Sequence, residues 1–308
     1  MVSVMANVPA LEKHPNKPNF TADDDSFEYQ RDKFGMIYHL FRRKTVLIGL
    51  GLVVFVICLA VFSSLLTSYD PNGVKVEERL MSPSMQHIFG TDDFGRDVYS
   101  RVIHGGKTSL IIGATVMLLA VGAGSLIGLF SGFYKTLDHV LMRIMDGLMS
   151  FPGLVLAIAM MGVLGGSLTT VIIALSIVYM PRVARVVRGS VLVVREYPFI
   201  EAERALGASK IYILFTHILP NCLSSIIIQA TFIFSYAVLG EAALSFLGVG
   251  VPPTTPSWGN ILSDSRVYIV QAWWIAVFPG AAIMLTVLGL NMFGDGLRDM
   301  LDPKLRKV

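Results

Sequence analysis

The sequence predicts an all-α membrane protein with six transmembrane helices and both termini in the cytoplasm. Three observations carry that prediction. Only 15% of the residues are charged and 54% are hydrophobic, whereas a soluble domain carries about a quarter charged residues. Six apolar runs, at about 46–66, 109–133, 145–164, 168–187, 223–240 and 273–293, each approach the roughly 20 helical residues needed to cross a hydrocarbon core. Finally, nineteen of the 25 Lys and Arg residues fall in segments 1–45, 134–144, 181–222 and 294–308. That asymmetry sets those segments on the cytoplasmic side. The net charge of +3 is too small to suggest nucleic acid. Cys58 and Cys222 lie in or beside apolar runs and read as small buried hydrophobes, not as a disulfide or a zinc site.

Taken in order, residues 1–30 mix Pro, Asn and Lys with the acidic run Asp23-Asp24-Asp25, a composition with too few aliphatics for a core. Residues 34–44 read as a short surface helix closed by Arg42-Arg43-Lys44. The first span is not a secretory signal, since it lies behind a polar stretch and no small-residue cleavage site follows. A long outer segment comes next, and its acids Asp92, Asp93 and Asp97 are expected to favour the start of the second helix or to pair with Arg96 and Arg101. The second span carries Gly124, Gly128 and Gly132 at a spacing that lets helix backbones approach closely. Two uses of that stripe stand side by side: packing within the chain, and an interface with another subunit.

The third span is expected to run from 145 to 164 with Pro152 tolerated near its start, and Asp146 is expected to pair with Arg143 at i,i+3. Gly165-Gly166 joins it to the fourth span as a minimal hairpin. Arg182, Arg185 and Arg188 form a stripe that reads as a membrane-interface anchor. The segment 181–222 is longer than a connection between two spans needs. Within it, Tyr197-Pro198 breaks the helix. A short helix then restarts over 199–207, closed at Gly207, and a second runs from the cap Ser209 to Leu219. Glu201 is expected on the outer surface of this loop. In the fifth span Glu241 is an intramembrane acid, a functional candidate by default. With Ser245 and Phe246 it marks either a pathway or gate, or the boundary of a stretch 242–250 that re-enters the outer leaflet.

Glu201-Ala202 with Gly207, followed by Leu219-Pro220, resembles the EAA loop of permease subunits of bacterial ABC-type importers. Phe89-Gly90-Thr91-Asp92-Asp93 with Gly95-Arg96-Asp97, Ser245-Phe246-Leu247-Gly248-Val249-Gly250, Pro256-Ser257-Trp258-Gly259 and Gly294-Asp295-Gly296-Leu297-Arg298-Asp299 with Leu301-Asp302-Pro303-Lys304 narrow the likeness. In that order they resemble the C-type permease of dipeptide/oligopeptide transporters. Two residues depart from the pattern. Glu203 stands where the family has a small residue, and His217 where an aliphatic one is usual.

The resemblance implies a type I ABC importer permease fold. It divides the chain into a cytoplasmic tail (1–44), a first helix with a long periplasmic segment (45–108), a five-helix core (109–296) with its coupling loop at 181–222, and a cytoplasmic tail (297–308). It further implies that Glu201, Ala202, Glu203, Gly207, Ala208 and Ser209 dock on a cytoplasmic ATPase. The implied partners are two such ATPases carrying ATP and Mg, a B-type permease, a periplasmic or lipid-anchored solute-binding protein, and membrane lipid in the bacterial inner membrane. The implied cargo is a short peptide, with nickel complexes or glutathione as alternatives in the same family.

The chain itself is not expected to be an enzyme or to bind a cofactor or metal. Gly106-Lys107-Thr108 matches the end of a phosphate-binding loop, but Arg101 stands where its first glycine is required. The six histidines show no zinc-ligand spacing. An ion-gradient carrier, the alternative from another class, calls for acids or histidines at mid-depth, and Asp146 and Glu241 both fall near boundaries. Nucleophilic catalysis lacks a paired nucleophile and base.

Overall fold

In the computed structural model the described residues are 44–301. The tail before Lys44, with the surface helix read there, and Asp302-Pro303-Lys304 of the last motif lie outside them. The described residues are helical apart from turns, 3-10 and bend segments and one isolated bridge between Thr91 and Asp97. Helix α1 (Lys44–Val61) leads through the short α2 (Ser63–Leu66) into the long connection 67–97. Then come α3 (Val98–Phe133), α4 (Lys135–Met149), α5 (Gly153–Leu164) and α6 (Leu168–Val194). After α7 (Pro198–Ala205), α8 runs over Lys210–Phe246, followed by α9 (Trp258–Tyr268) and α10 (Trp274–Leu301). Five of these helices are long and apolar enough to cross a bilayer, and six spans result if α4 and α5 count as one broken span. Much of their apolar surface faces outward; in α1 only 22% of the apolar window is buried. Such a surface requires lipid or a partner subunit.

The core is built on α3. Its glycine stripe lies directly on α6: a Cβ on Gly128 would come within 2.6 Å of the Ala184 carbonyl oxygen, and one on Gly132 within 2.6 Å of Val191 Cβ. Of the two uses left open, the stripe therefore serves packing within the chain. Val183, Val187 and Val191 are fully buried against it and continue into Ile200, Ile213, Leu214 and Ile218 at the same end of the molecule. At the opposite end Trp258 and Ile261 of α9 pack with Val98 and Val102 of α3 and with Trp274 and Ile275 of α10.

Four expectations are corrected. The third span is not one helix, because α4 and α5 meet at 88° across 150–152; Pro152 caps α5 instead of sitting inside a continuous helix, where its ring would clash with a carbonyl one turn back. The fourth span does not end at 187. It passes Pro181 and continues to Val194, because its valines remain packed on α3, so the connection to α8 is shorter than 181–222. Two of the three arginines also tie α6 to α4: Arg188 Nη2 donates to Asp138 Oδ2 at 2.7 Å, and Arg185 Nη2 to Asp146 Oδ1 at 2.8 Å. Asp146 is thereby claimed by α6, not by Arg143. Lastly, the helix expected to end at Leu219 runs on as the fifth span. A π-helical stretch, Ile213–Ile218, precedes Pro220, and the wider turn accommodates a residue that has no N–H to give.

Candidate functional site

Two groups of predicted residues gather at opposite ends of the bundle. At the first end, α6 stops where Arg195 Nη1 reaches the Gly132 carbonyl of α3 at 2.9 Å. Tyr197 is extended (φ −72°, ψ 141°), as a residue before proline must be. Pro198 then opens α7 with φ already set for a helix. Ile200 is fully buried and anchors the helix in the core shared with Ile213 and Ile218. The opposite face projects, with Glu201, Ala202, Arg204 and Ala205 exposed and Leu206 83% exposed.

The end of α7 is closed by backbone bonds of the Schellman type. The Ala208 N–H donates to the Glu203 carbonyl and the Gly207 N–H to the Arg204 carbonyl, both at 3.1 Å. Gly207 has φ +84°, and a Cβ added there would meet nothing within 4 Å. Backbone sign, not space, demands glycine here. Ser209 caps the next helix, its hydroxyl accepting from the Tyr212 N–H at 3.3 Å. Glu203 and His217, the two departures from the family pattern, face each other with Nε2 and Oε1 3.5 Å apart. That is ion-pair reach without hydrogen-bond geometry. Nothing in their sequence spacing announces this contact, since it depends on how α7 folds back on α8.

At the other end, Glu241 is completely buried. Its Oε1 accepts from the hydroxyls of Ser245 and Ser257, each at 2.8 Å, and its Oε2 from that of Ser109 at 3.1 Å. Each serine also accepts a backbone N–H: Ser245 from Val251, Ser257 from Asn260 and Ser109 from Trp258, all at 3.2 Å. The Trp258 indole N–H donates to the Val102 carbonyl at 2.9 Å. One carboxyl group thus ties α3, α8 and α9 together and fixes the 247–257 turn. Of the two residues grouped with it by sequence, Ser245 shares the network. Phe246 does not; it is 40% exposed, with the Arg266 guanidinium 5.3 Å from its ring centre. Sequence reasoning misses Ser109 and Ser257, although Ser257 lies inside the Pro256–Gly259 motif.

Beside this network the 67–97 connection is held by charges. Asp97 caps α3, accepting from the Ser100 N–H at 2.7 Å, and its Oδ1 meets His87 Nδ1 at 2.8 Å. Asp92 pairs with Arg96 at 2.6 Å and with the fully buried Arg101 at 3.6 Å. Both arginines also reach Asp264 of α9, at 3.0 and 3.3 Å. Burial pushes the Asp264 carboxyl above the ordinary carboxylate range, against the pull of Arg101 and Arg96. Burial, and then the Asp92 charge, raise Asp93 in the same direction. Asp92, Asp93 and Asp264 lie close enough to share a cation, but Arg96 and Arg101 already neutralise two of them. The arrangement is a charged brace across the 67–97 connection, α3 and α9.

Residues 99–307 match the family described as the binding-protein-dependent transport system inner membrane component. The chain is 48% identical over 267 residues to a provisionally named peptide transport system permease protein of Brucella suis, covering 87% of this chain and 90% of that one. It is 42% identical over 299 residues to a dipeptide transport system permease protein of Alkalihalophilus pseudofirmus, covering 97% of each. It is also 44% identical over 269 residues to a glutathione transport system permease protein of Escherichia coli O6:K15:H31, covering 86% of this chain and 89% of the relative. Among solved structures, an inward-facing form of the MetNI methionine ABC transporter superposes with a TM-score of 0.52 at 19% identity, covering 66% of this chain and 96% of that one. That likeness speaks for the fold.

Proposed function

This chain belongs to the family of binding-protein-dependent transport system inner membrane components, and on that premise we propose that it is a permease subunit of an ATP-driven importer of short peptides. The observation that carries the coupling role is the geometry of α7. It is a short helix pinned by one buried isoleucine, closed by a positive-φ glycine, and joined within four residues at each end to the long helices α6 and α8. A body attached so closely to two spans transmits displacement to both.

In this reading the exposed face around Glu201, Ala202 and Leu206 seats in a groove of a cytoplasmic ATPase. Ala202 permits close approach, Leu206 supplies apolar contact, and Glu201 offers a carboxylate to a basic or amide group. Glu203, Gly207, Ala208 and Ser209 hold the helix end in shape. ATP and Mg are bound by the two ATPase subunits, and both termini and the α7 loop lie in the cytoplasm of a bacterium. A second permease subunit completes the pathway, and a solute-binding protein delivers cargo at the α9 end. The dipeptide and glutathione relatives both carry short peptides by name, which supports that cargo class.

Affinity purification of this subunit, co-expressed with its neighbouring transport genes, tests the assembly. An ATPase is expected to co-purify and its hydrolysis to rise several-fold when peptide-loaded binding protein is added. A chain that purifies from that host free of any ATPase contradicts the proposal.

A further inference from the structure

The three arginines of α6 descend into the bundle, and the deepest differs from the others. Arg188 and Arg185 are each paired with an aspartate of α4. Arg182 is exposed, and among the described residues its recorded partner is the ring of Tyr236, whose centre lies 4.8 Å from the guanidinium carbon. Depth follows from helix rise. Arg182 is fourteen residues from Leu168, the first residue of α6, which places it about 21 Å along a span through a core of roughly 30 Å. Tyr236 is ten residues from Phe246 at the same end of the bundle, about 15 Å along. The adjoining turns set these ends at a common level, since a Cβ on Gly166 would lie 3.6 Å from the Gly250 carbonyl.

The guanidinium therefore lies inside the span, about two thirds of the way through the core from the α9 end. A charge there does not face hydrocarbon; it faces a water-filled path or a partner. Stacking on an aromatic face leaves its N–H fork free, and that fork suits a carboxylate in bidentate geometry. The third span breaks at the same level. Gly153, the first residue of α5, touches Val178, one helical turn from Arg182 on the same side of α6, while Asp146 of α4 reaches Arg185 one turn beyond.

We infer that Arg182, stacked on Tyr236, forms a subsite within the membrane span that receives the terminal carboxylate of the peptide in transit. This rests on the peptide-importer reading, and it adds the ligand group and the residues that meet it. The cation–π contact holds the guanidinium across the path without quenching its charge. The site is open on its exposed side, so it supports brief contact during passage and not storage.

The complete complex in proteoliposomes tests this with a tripeptide carrying a diazirine in its C-terminal side chain. Illumination of the vanadate-stalled complex is expected to place adducts within a few residues of Arg182 or Tyr236. Arg182→Gln is expected to lower tripeptide uptake about tenfold, with the partner permease still co-purifying, and Arg182→Lys to retain at least half. Undiminished uptake in Arg182→Gln, or adducts confined elsewhere, overturns the inference. Loss of the partner permease from the Arg182→Gln complex overturns it as well, by showing that the arginine pairs across the subunit interface. Absence of ATP-driven peptide uptake by the wild-type complex instead strikes the importer reading beneath it.

Discussion

Gly207→Pro is expected to reduce ATP-driven uptake below a tenth of wild type while the chain still reaches the membrane. Gly207 sits at φ +84°, and proline is locked near −65°. The substitution also removes the N–H that bonds to the Arg204 carbonyl. The Schellman closure is lost, and α7 must unwind or swing away from its seat on Ile200. Gly207→Ala probes the same point more gently, since an L-residue pays about 1–2 kcal/mol in the left-handed region, and an intermediate uptake is expected. A second change on the exposed face, Glu201→Arg, leaves the backbone intact and reverses the charge on the proposed ATPase-docking face; it is expected to lower uptake to a similar degree. Membrane-fraction immunoblots alongside peptide uptake read all three. Wild-type uptake by Gly207→Pro would show that the shape of α7 has no part in coupling.

Glu241→Leu is expected to be nearly as damaging. The carboxyl group takes hydrogen bonds from three serine hydroxyls, and each such bond contributes about 0.5–1.5 kcal/mol, with a further cost for every buried donor left unpaired. Leucine removes all three at once. Ser109, Ser245 and Ser257 are left buried without their acceptor, and α9 loses its tie to α3 and α8. Uptake is expected to fall by at least about tenfold, and proteolytic cutting in the 247–257 turn to accelerate. Glu241→Gln keeps the shape and one acceptor oxygen but turns an NH2 group toward hydroxyl donors, so its cost is expected to be smaller. If Glu241→Leu transports and resists protease like wild type, the network is not what holds this end of the bundle.

The apolar runs and the punctuation between them are readable because both follow from local chemistry. Hydropathy locates the long helices, Pro198 and Gly207 bound α7, and Ser209 announces its cap. What escapes is set by contacts between distant segments. Arg182, Arg185 and Arg188 do not announce that α6 runs on past them; it does so because Val183, Val187 and Val191 lie on the glycines of α3. Pro152 can be tolerated in a span or can break one, and only the packing of α5 against Val178 decides. Glu241 is conspicuous as an acid in an apolar run. Its partners Ser109 and Ser257 are not, because serine is unremarkable until the fold points three hydroxyls at one carboxyl group. The same holds for Glu203 and His217, which stand out singly and gain meaning as a pair.

ATP hydrolysis by partner subunits is proposed to drive peptide import through this chain. Proteoliposomes holding the complete complex, with ATP enclosed and peptide-loaded binding protein outside, measure that dependence without other transporters present. Peptide accumulation is expected to require hydrolysable ATP and to be unchanged when ionophores collapse the proton and sodium gradients. Accumulation that continues without ATP and disappears with the ionophores would contradict an ATP-driven importer.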